Sequence, residues 1–209
     1  VGVAGGVILP AMRLVVVDYG AGNLRSVAKA IAHLGVEPLV TDSPAALERA
    51  QAVVLPGVGA AGDAMRALHS RQLVEPIRRF VASGRPFLGV CLGMQVLFSV
   101  SEEGGEQGCL DIVPGRVKRL PAGLKVPQMG WNQVRQQVAH PLFRDIPDGA
   151  HFYFVHSYYC EPGDPALAIG VTDYGLEYCS VVARDNLVAT QFHPEKSGQH
   201  GLLLYRNFL

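Results

Sequence analysis

The chain of 209 residues is 49% hydrophobic and 17% charged, which excludes a disordered polypeptide and provides for a sizeable core. Its 18 Lys and Arg balance 18 Asp and Glu; this argues against a nucleic-acid binder that works by neutralising phosphates and suits a chain that lives in a complex. No apolar run reaches the ~20 residues that cross a bilayer, so a soluble protein is expected.

Residues 1–11, VGVAGGVILPA, are apolar but lack the basic start of a secretory signal, and are read as an extension or expression remnant ahead of a natural start at Met12. Leu14 to Asp18 is a β-branched run of the kind buried on both faces in parallel sheets, followed by the loop Tyr19-Gly20-Ala21-Gly22-Asn23. Leu24, Val27, Ala28, Ile31 and Leu34 then recur at helical spacing up to Gly35. A strand is expected near Glu37–Thr41 and a helix start at Ser43-Pro44. A third strand, Ala52–Leu55, ends in Pro56-Gly57-Val58-Gly59. Helices near 62–69 and 73–83 and the strand Phe87–Val90 complete four βα units, with Met94, Gln95, Leu97 and Phe98 continuing as helix.

Beyond about residue 110, strand-like segments near 112–120, 131–138, 151–156, 166–171, 178–184 and 187–192 follow one another across Pro/Gly turns, before a last helix near 199–208. The expected architecture is α/β: a flavodoxin-like, three-layer, doubly wound sheet with an antiparallel extension, forming one domain over residues 12–209. Cys91, Cys109, Cys160 and Cys179 are too scattered for a disulfide framework or zinc ribbon, and a reducing cytoplasm is the simpler reading.

The sharpest chemical signal is Gly89-Val90-Cys91-Leu92-Gly93, a nucleophile flanked by glycines at a strand-to-helix turn. A cysteine there sits at a helix N-terminus, and the Leu92 N–H is placed to hold an oxyanion; the alternative is a small buried core residue. Of seven histidines, His193 ends a strand and precedes Pro194-Glu195. Two residues apart in an extended segment, Glu195 can orient the imidazole, although HPE alone is as readily a turn. Pro56–Gly59 offers backbone N–H groups for a second oxyanion donor, and is otherwise a flexible turn. The Gly20-x-Gly22 pair fails the dinucleotide fingerprint because Arg25 stands at the third glycine position.

Together PGVG, GVCLGMQ and HPE resemble the class I, triad-type glutamine amidotransferases from about residue 13 to the end. DYGAGNLRSV (18–27), PQMGWN (127–132), FYFVHSYY (152–159) and QFHPEKS (191–197) narrow the resemblance to the glutaminase subunits of imidazole glycerol phosphate synthases. It implies Cys91 as nucleophile, His193 as base and acid, Glu195 as orienter, and Gly57, Val58, Gly59 and Leu92 around the oxyanion. It further implies glutamine contacts from Gln95, Glu103, Ser157 and Tyr158, and a synthase-facing surface of Asn23, Arg25, Trp131, Asn132, Tyr153 and Lys196. Read without it, Arg25 is a solvated helix residue and Trp131 a core residue. No cofactor or metal is implied. The implied partner is a (β/α)8-barrel cyclase subunit in a heterodimer of histidine biosynthesis, taking ammonia to convert PRFAR into imidazole glycerol phosphate and AICAR. The rival readings are another class I glutaminase subunit, for pyridoxal phosphate or anthranilate synthesis, and a non-catalytic flavodoxin-like thiol sensor or binding module.

Overall fold

The computed structural model describes residues 13–209; the expectations for residues 1–11 and Met12 lie outside the described residues. Strand β1 (Leu14–Val17) leads into α1 (Leu24–Ala32), β2 (Leu39–Thr41), α2 (Pro44–Arg49), β3 (Ala52–Gly57), α3 (Ala61–Ser70), α4 (Val74–Ala82) and β4 (Phe87–Cys91). A single helical turn, α5 (Leu92–Gln95), is followed by β5 (Phe98–Ser101), β6 (Gln107–Gly108), β7 (Val113–Arg119) and β8 (Gln128–Gln136). The last part comprises β9 (Ala150–His156), β10 (Tyr158–Pro162), β11 (Ala168–Asp173), β12 (Glu177–Arg184), β13 (Leu187–Thr190) and α6 (Gly198–Phe208).

The apolar runs of β1 and β3 feed two cores at once. Val15, Val17, Val53 and Leu55 pack with Leu47, Met65, Leu68, Ile77 and Phe80 from α2, α3 and α4. Their neighbours Leu14, Val16, Ala52 and Val54 pack with Val27 and Ile31 of α1 and Leu204 and Tyr205 of α6. Side chains that alternate across a sheet and are buried on both faces need helices on both faces, hence three layers. Each large aliphatic chain so buried contributes roughly 1.5–3 kcal/mol relative to exposure.

The sheet runs β2-β1-β3-β4-β13-β12-β10-β7-β5-β6. β2, β1, β3, β4 and β13 are parallel, β12, β10 and β7 continue antiparallel, and β11, β8 and β9 branch from β12. The expected doubly wound sheet with an antiparallel extension is therefore present. No helix among the described residues is long and apolar enough to cross a membrane.

Two local expectations are corrected. The helix after Cys91 does not continue through Leu97 and Phe98: α5 stops at Gln95, and Phe98 opens β5. The carbonyls of Val96, Leu97 and Phe98 accept from the N–H groups of Leu110, Ile112, Val113 and Asp111, so a tertiary loop occupies the groups a longer helix would need. Tyr158–Pro162, which contains no alternating apolar pattern, is a strand all the same, held between β7 and β12. In addition β8 starts at Gln128, ahead of the expected 131, and β13 ends at Thr190, ahead of 192.

Candidate active site

The carboxyl ends of parallel strands gather ligands in open α/β sheets, and here β3, β4 and β13 end side by side. Gly57 is in register with Cys91 and Thr190 with Val90, so PGVG, the cysteine elbow and the Gln191–Glu195 segment meet at one edge. Beside it opens a cavity of about 300 Å³ lined by Val58, Gly59, Cys91, Leu92, Gln95, Glu103, Pro127, Val155, His156, Ser157, Tyr158 and His193. That volume lies at the lower end of the ~300–1,000 Å³ usual for small-molecule sites.

Cys91 holds φ 55 and ψ −111, a conformation an L-residue adopts only under constraint. The constraint is the close packing of α5 on β3: a Cβ at Gly93 would lie 1.8 Å from the Leu55 carbonyl oxygen. Two flanking glycines thus let the elbow press against the sheet and turn the sulfur toward the cavity. Because α5 is one turn long, its dipole is small, and the first-turn N–H groups carry what anion-binding capacity the elbow has.

His193 Nδ1 meets Glu195 Oε1 at 2.7 Å, with both side chains buried. The expected extended geometry of this pair is corrected: His193 is extended, but Pro194–Lys196 is a 3-10 turn, which folds the carboxylate back under the ring. Nε2 of His193 has no hydrogen-bond partner among the described residues and belongs to the ring that lines the cavity. Burial lowers the basicity of this imidazole, but Cys91 and Glu195 outweigh it and raise the ring to about 10. Asn23 Nδ2 donates to the same Oε1, and the Tyr205 hydroxyl donates to Oε2 at 3.3 Å.

The backbone under the ring is fixed as well. The His193 N–H donates to the Tyr153 carbonyl at 2.9 Å, the Ser197 hydroxyl to the His193 carbonyl at 2.6 Å, and the Tyr153 N–H to Ser197 Oγ at 3.0 Å.

Of the other expected residues, Val58, Gly59, Leu92, Gln95, Glu103, Ser157 and Tyr158 line the cavity, whereas Gly57 is buried inside β3, where a Cβ would lie 2.2 Å from the Tyr19 hydroxyl. Glu103 accepts from the Ala61 N–H at 2.6 Å through one carboxylate oxygen. Gln95 Nε2 donates to the Tyr158 carbonyl at 3.0 Å and to Gln191 Oε1 at 3.1 Å.

The expected outer surface divides in two. Trp131 is exposed and stands edge-on to Tyr153 with ring centroids 6.1 Å apart, and Lys196 Nζ lies 5.7 Å above the Tyr153 ring. Met129, one exposed position earlier on β8, joins this face without having been anticipated. Arg25 is exposed on α1, but Asn132 binds the Asp173 carbonyl and Asn23 turns inward to Glu195.

Sequence reasoning passed over His156 and Gln191. His156 ends β9 beneath the cavity, its Nδ1 against the Tyr158 carbonyl (2.9 Å) and its Nε2 against the Tyr178 hydroxyl (3.1 Å). Burial, and secondarily His193, push its basicity down to about 4 despite the carbonyl bond, so the ring is neutral. The pattern offered one signal for each: both lie inside the quoted stretches FYFVHSYY and QFHPEKS.

Residues 15–209 match the family described as glutamine amidotransferase class-I. A protein of Dehalococcoides mccartyi named imidazole glycerol phosphate synthase subunit HisH is 56% identical over 195 residues, covering 93% of this chain and 95% of its own. A protein of the same name from Chloroflexus aurantiacus is 53% identical over 201 residues, 94% of each chain. In fold, the chain is similar to a structure described as PurLQS from Thermotoga maritima, with a TM-score of 0.75 at 18% identity, covering 95% of this chain and 97% of that one.

Proposed function

The chain belongs to the class-I glutamine amidotransferases, and we propose that it is the glutaminase subunit of an imidazole glycerol phosphate synthase, releasing ammonia from glutamine for histidine biosynthesis. The observation that carries the catalytic assignment is the buried His193–Glu195 pair, whose free Nε2 belongs to a ring on the same cavity wall as Cys91.

In this reading the Cys91 proton passes to His193 Nε2 before attack, as the raised basicity of that ring favours, and the sulfur then attacks the side-chain carboxamide carbon of glutamine. Backbone N–H groups of Leu92 and of the Val58–Gly59 segment receive the oxyanion. His193 returns the proton to the departing nitrogen, and ammonia leaves a γ-glutamyl thioester. Water, activated by the same imidazole, cleaves the thioester to glutamate and restores the thiol. Gln95, with both amide hydrogens committed, presents only its oxygen to the ligand. Glu103 keeps one carboxylate oxygen free for the substrate ammonium, and Ser157 and Tyr158 grip its backbone.

Ammonia escaping into water at neutral pH becomes ammonium and loses its nucleophilicity, so the product must pass directly to a second active site. The finer part of the proposal is a (β/α)8-barrel cyclase docked on the exposed cluster of Met129, Trp131, Tyr153 and Lys196, with Arg25, exposed on α1, as a further contact. Residues 12–209 act as one amidotransferase domain, and four unpaired cysteines support work in a reducing cytoplasm.

The test is glutamate release from glutamine with and without the barrel cyclase and its nucleotide ligand. Weak release by the chain alone, strong release in the complex and none from Cys91→Ala is the expected result. Cysteine-dependent hydrolysis that ignores the cyclase removes the partner; hydrolysis surviving Cys91→Ala removes the triad.

A further inference from the structure

One buried group touches the sulfur from the protein side and has no role in the scheme above. Gln191 follows β13 directly, and the parallel register Thr190↔Val90 sets it beside Cys91. It is 0% exposed, does not line the cavity, and places Nε2 3.8 Å from Cys91 Sγ. The orientation of its amide follows from donor and acceptor counting. The Tyr158 carbonyl can only accept, so the Gln95 atom 3.0 Å from it is the NH2 group. That NH2 group also faces Gln191 at 3.1 Å, so the Gln191 atom there must be the oxygen. The remaining atom, the one aimed at the sulfur, is therefore an N–H donor. A backbone carbonyl fixes both amides in series, and the second is held as a donor against the nucleophile before any substrate arrives.

We infer that Gln191 is a catalytic residue of the glutaminase: its side-chain N–H donates to Cys91 Sγ, favouring the deprotonated sulfur and holding it on the attack trajectory. The inference rests on Cys91 being the nucleophile of the proposed function. A donor to sulfur acts on both halves of the reaction, since the sulfur becomes charged before attack and again when the thioester breaks. Removing it lowers turnover more than glutamine affinity, because Gln191 does not line the glutamine cavity.

The other titratable groups facing Cys91 do not substitute for it. His193 exchanges the proton itself. The Tyr19 phenol on the β1 side is pushed by burial, then by Cys91, above the usual tyrosine range, and the Cys160 thiol of β10 is pushed well up by burial and its cysteine neighbours, so both are neutral. The Val155 carbonyl, 4.0 Å from Sγ, is an acceptor and serves only the protonated thiol.

The experiment measures iodoacetamide alkylation of Cys91 against pH in the full chain, the modified residue identified by peptide mass, alongside glutamine hydrolysis in the complex. The variants are Gln191→Met, which keeps side-chain length, and Gln191→Leu as a second apolar replacement should the first not fold. A charge-assisted hydrogen bond lost from a buried site predicts alkylation at pH 7 about tenfold slower, its pH profile moved up by about one unit, and kcat down about tenfold at nearly unchanged KM. A folded variant that alkylates with the wild-type pH profile overturns the inference, whatever its activity or melting temperature. Hydrolysis persisting in Cys91→Ala fails the nucleophile assignment instead, so the two failures are distinguishable.

Discussion

Asn23 Nδ2 and His193 Nδ1 converge on one oxygen atom, Oε1 of Glu195. Asn23 belongs to the loop after the first strand, 170 residues before the base (193 minus 23), and stands at φ 70, where asparagine is tolerated better than most residues. It occupies the N-cap position of α1 yet makes no capping bond, because its side chain is committed to the carboxylate.

Asn23→Gly tests that commitment. Glycine accepts the left-handed backbone, so folding is retained while the donor is lost, and the carboxylate keeps only Tyr205 and His193. The expected result is a fall in kcat of about tenfold with KM little changed, by steady-state glutaminase assay in the complex. Asn23→Ala should lose stability as well, by about 1 kcal/mol of backbone strain in urea unfolding. Wild-type kcat in the glycine variant would show that the bond does not orient the base.

The glycines flanking the chemistry separate into two kinds. At Gly93 a methyl group has no room against the Leu55 carbonyl, so Gly93→Ala should destabilise the fold by more than about 3 kcal/mol or prevent expression. At Gly59 nothing lies within 4 Å, but φ is 98. Gly59→Ala should therefore cost about 1–2 kcal/mol of strain and fall mainly on turnover, since this residue lines the cavity at the expected oxyanion position. Chemical denaturation and kcat measured together check the contrast; equal stability losses in the two variants would contradict it.

His156 gives a pH signature. Its native proton affinity lies at about 4, against about 6.5 for an unfolded histidine. Between those values the unfolded chain binds a proton that the native state refuses, so this group's contribution to stability is present above pH 6.5 and is lost as pH falls to 4. The magnitude is on the order of 3 kcal/mol. His193 works in the opposite direction: raised to about 10, it contributes fully below pH 6.5 and its contribution fades as pH rises through 10. Urea unfolding at pH 4, 5.5 and 7 should show a slope on the acid side that flattens in His156→Gln. The same slope in both proteins would mean that His156 is already accessible to protons in the native state.

The parts of this molecule that sequence made legible are those where one residue type has one job. The runs at Leu14–Val17 and Ala52–Leu55 read as strands covered on both sides, and a cysteine between glycines at a strand end reads as a nucleophile elbow; in the structure Cys91 is largely buried and lines the cavity. What escaped was decided by contacts between distant segments. Phe98 reads as helix until its neighbours' carbonyls are seen to be taken by Leu110, Asp111, Ile112 and Val113. Tyr158–Pro162 is a strand because β7 and β12 leave a space for one. Glu195 was expected to reach His193 along an extended chain, and reaches it through a 3-10 turn instead. The bond from Asn23 to Glu195 was not foreseen, because a polar side chain in a loop carries no mark of a buried carboxylate far along the chain. Gln191 was passed over for the same reason, since the amide that orients it belongs to Gln95.

Tyr153 serves the outside and the inside of the molecule at once. Its ring stands on the outer face with Trp131 and Lys196, while its carbonyl and N–H hold His193 and Ser197. The N–H and the carbonyl lie in the two consecutive peptide planes that meet at the Cα bearing the ring, so the outer face and the seat of the imidazole share one residue.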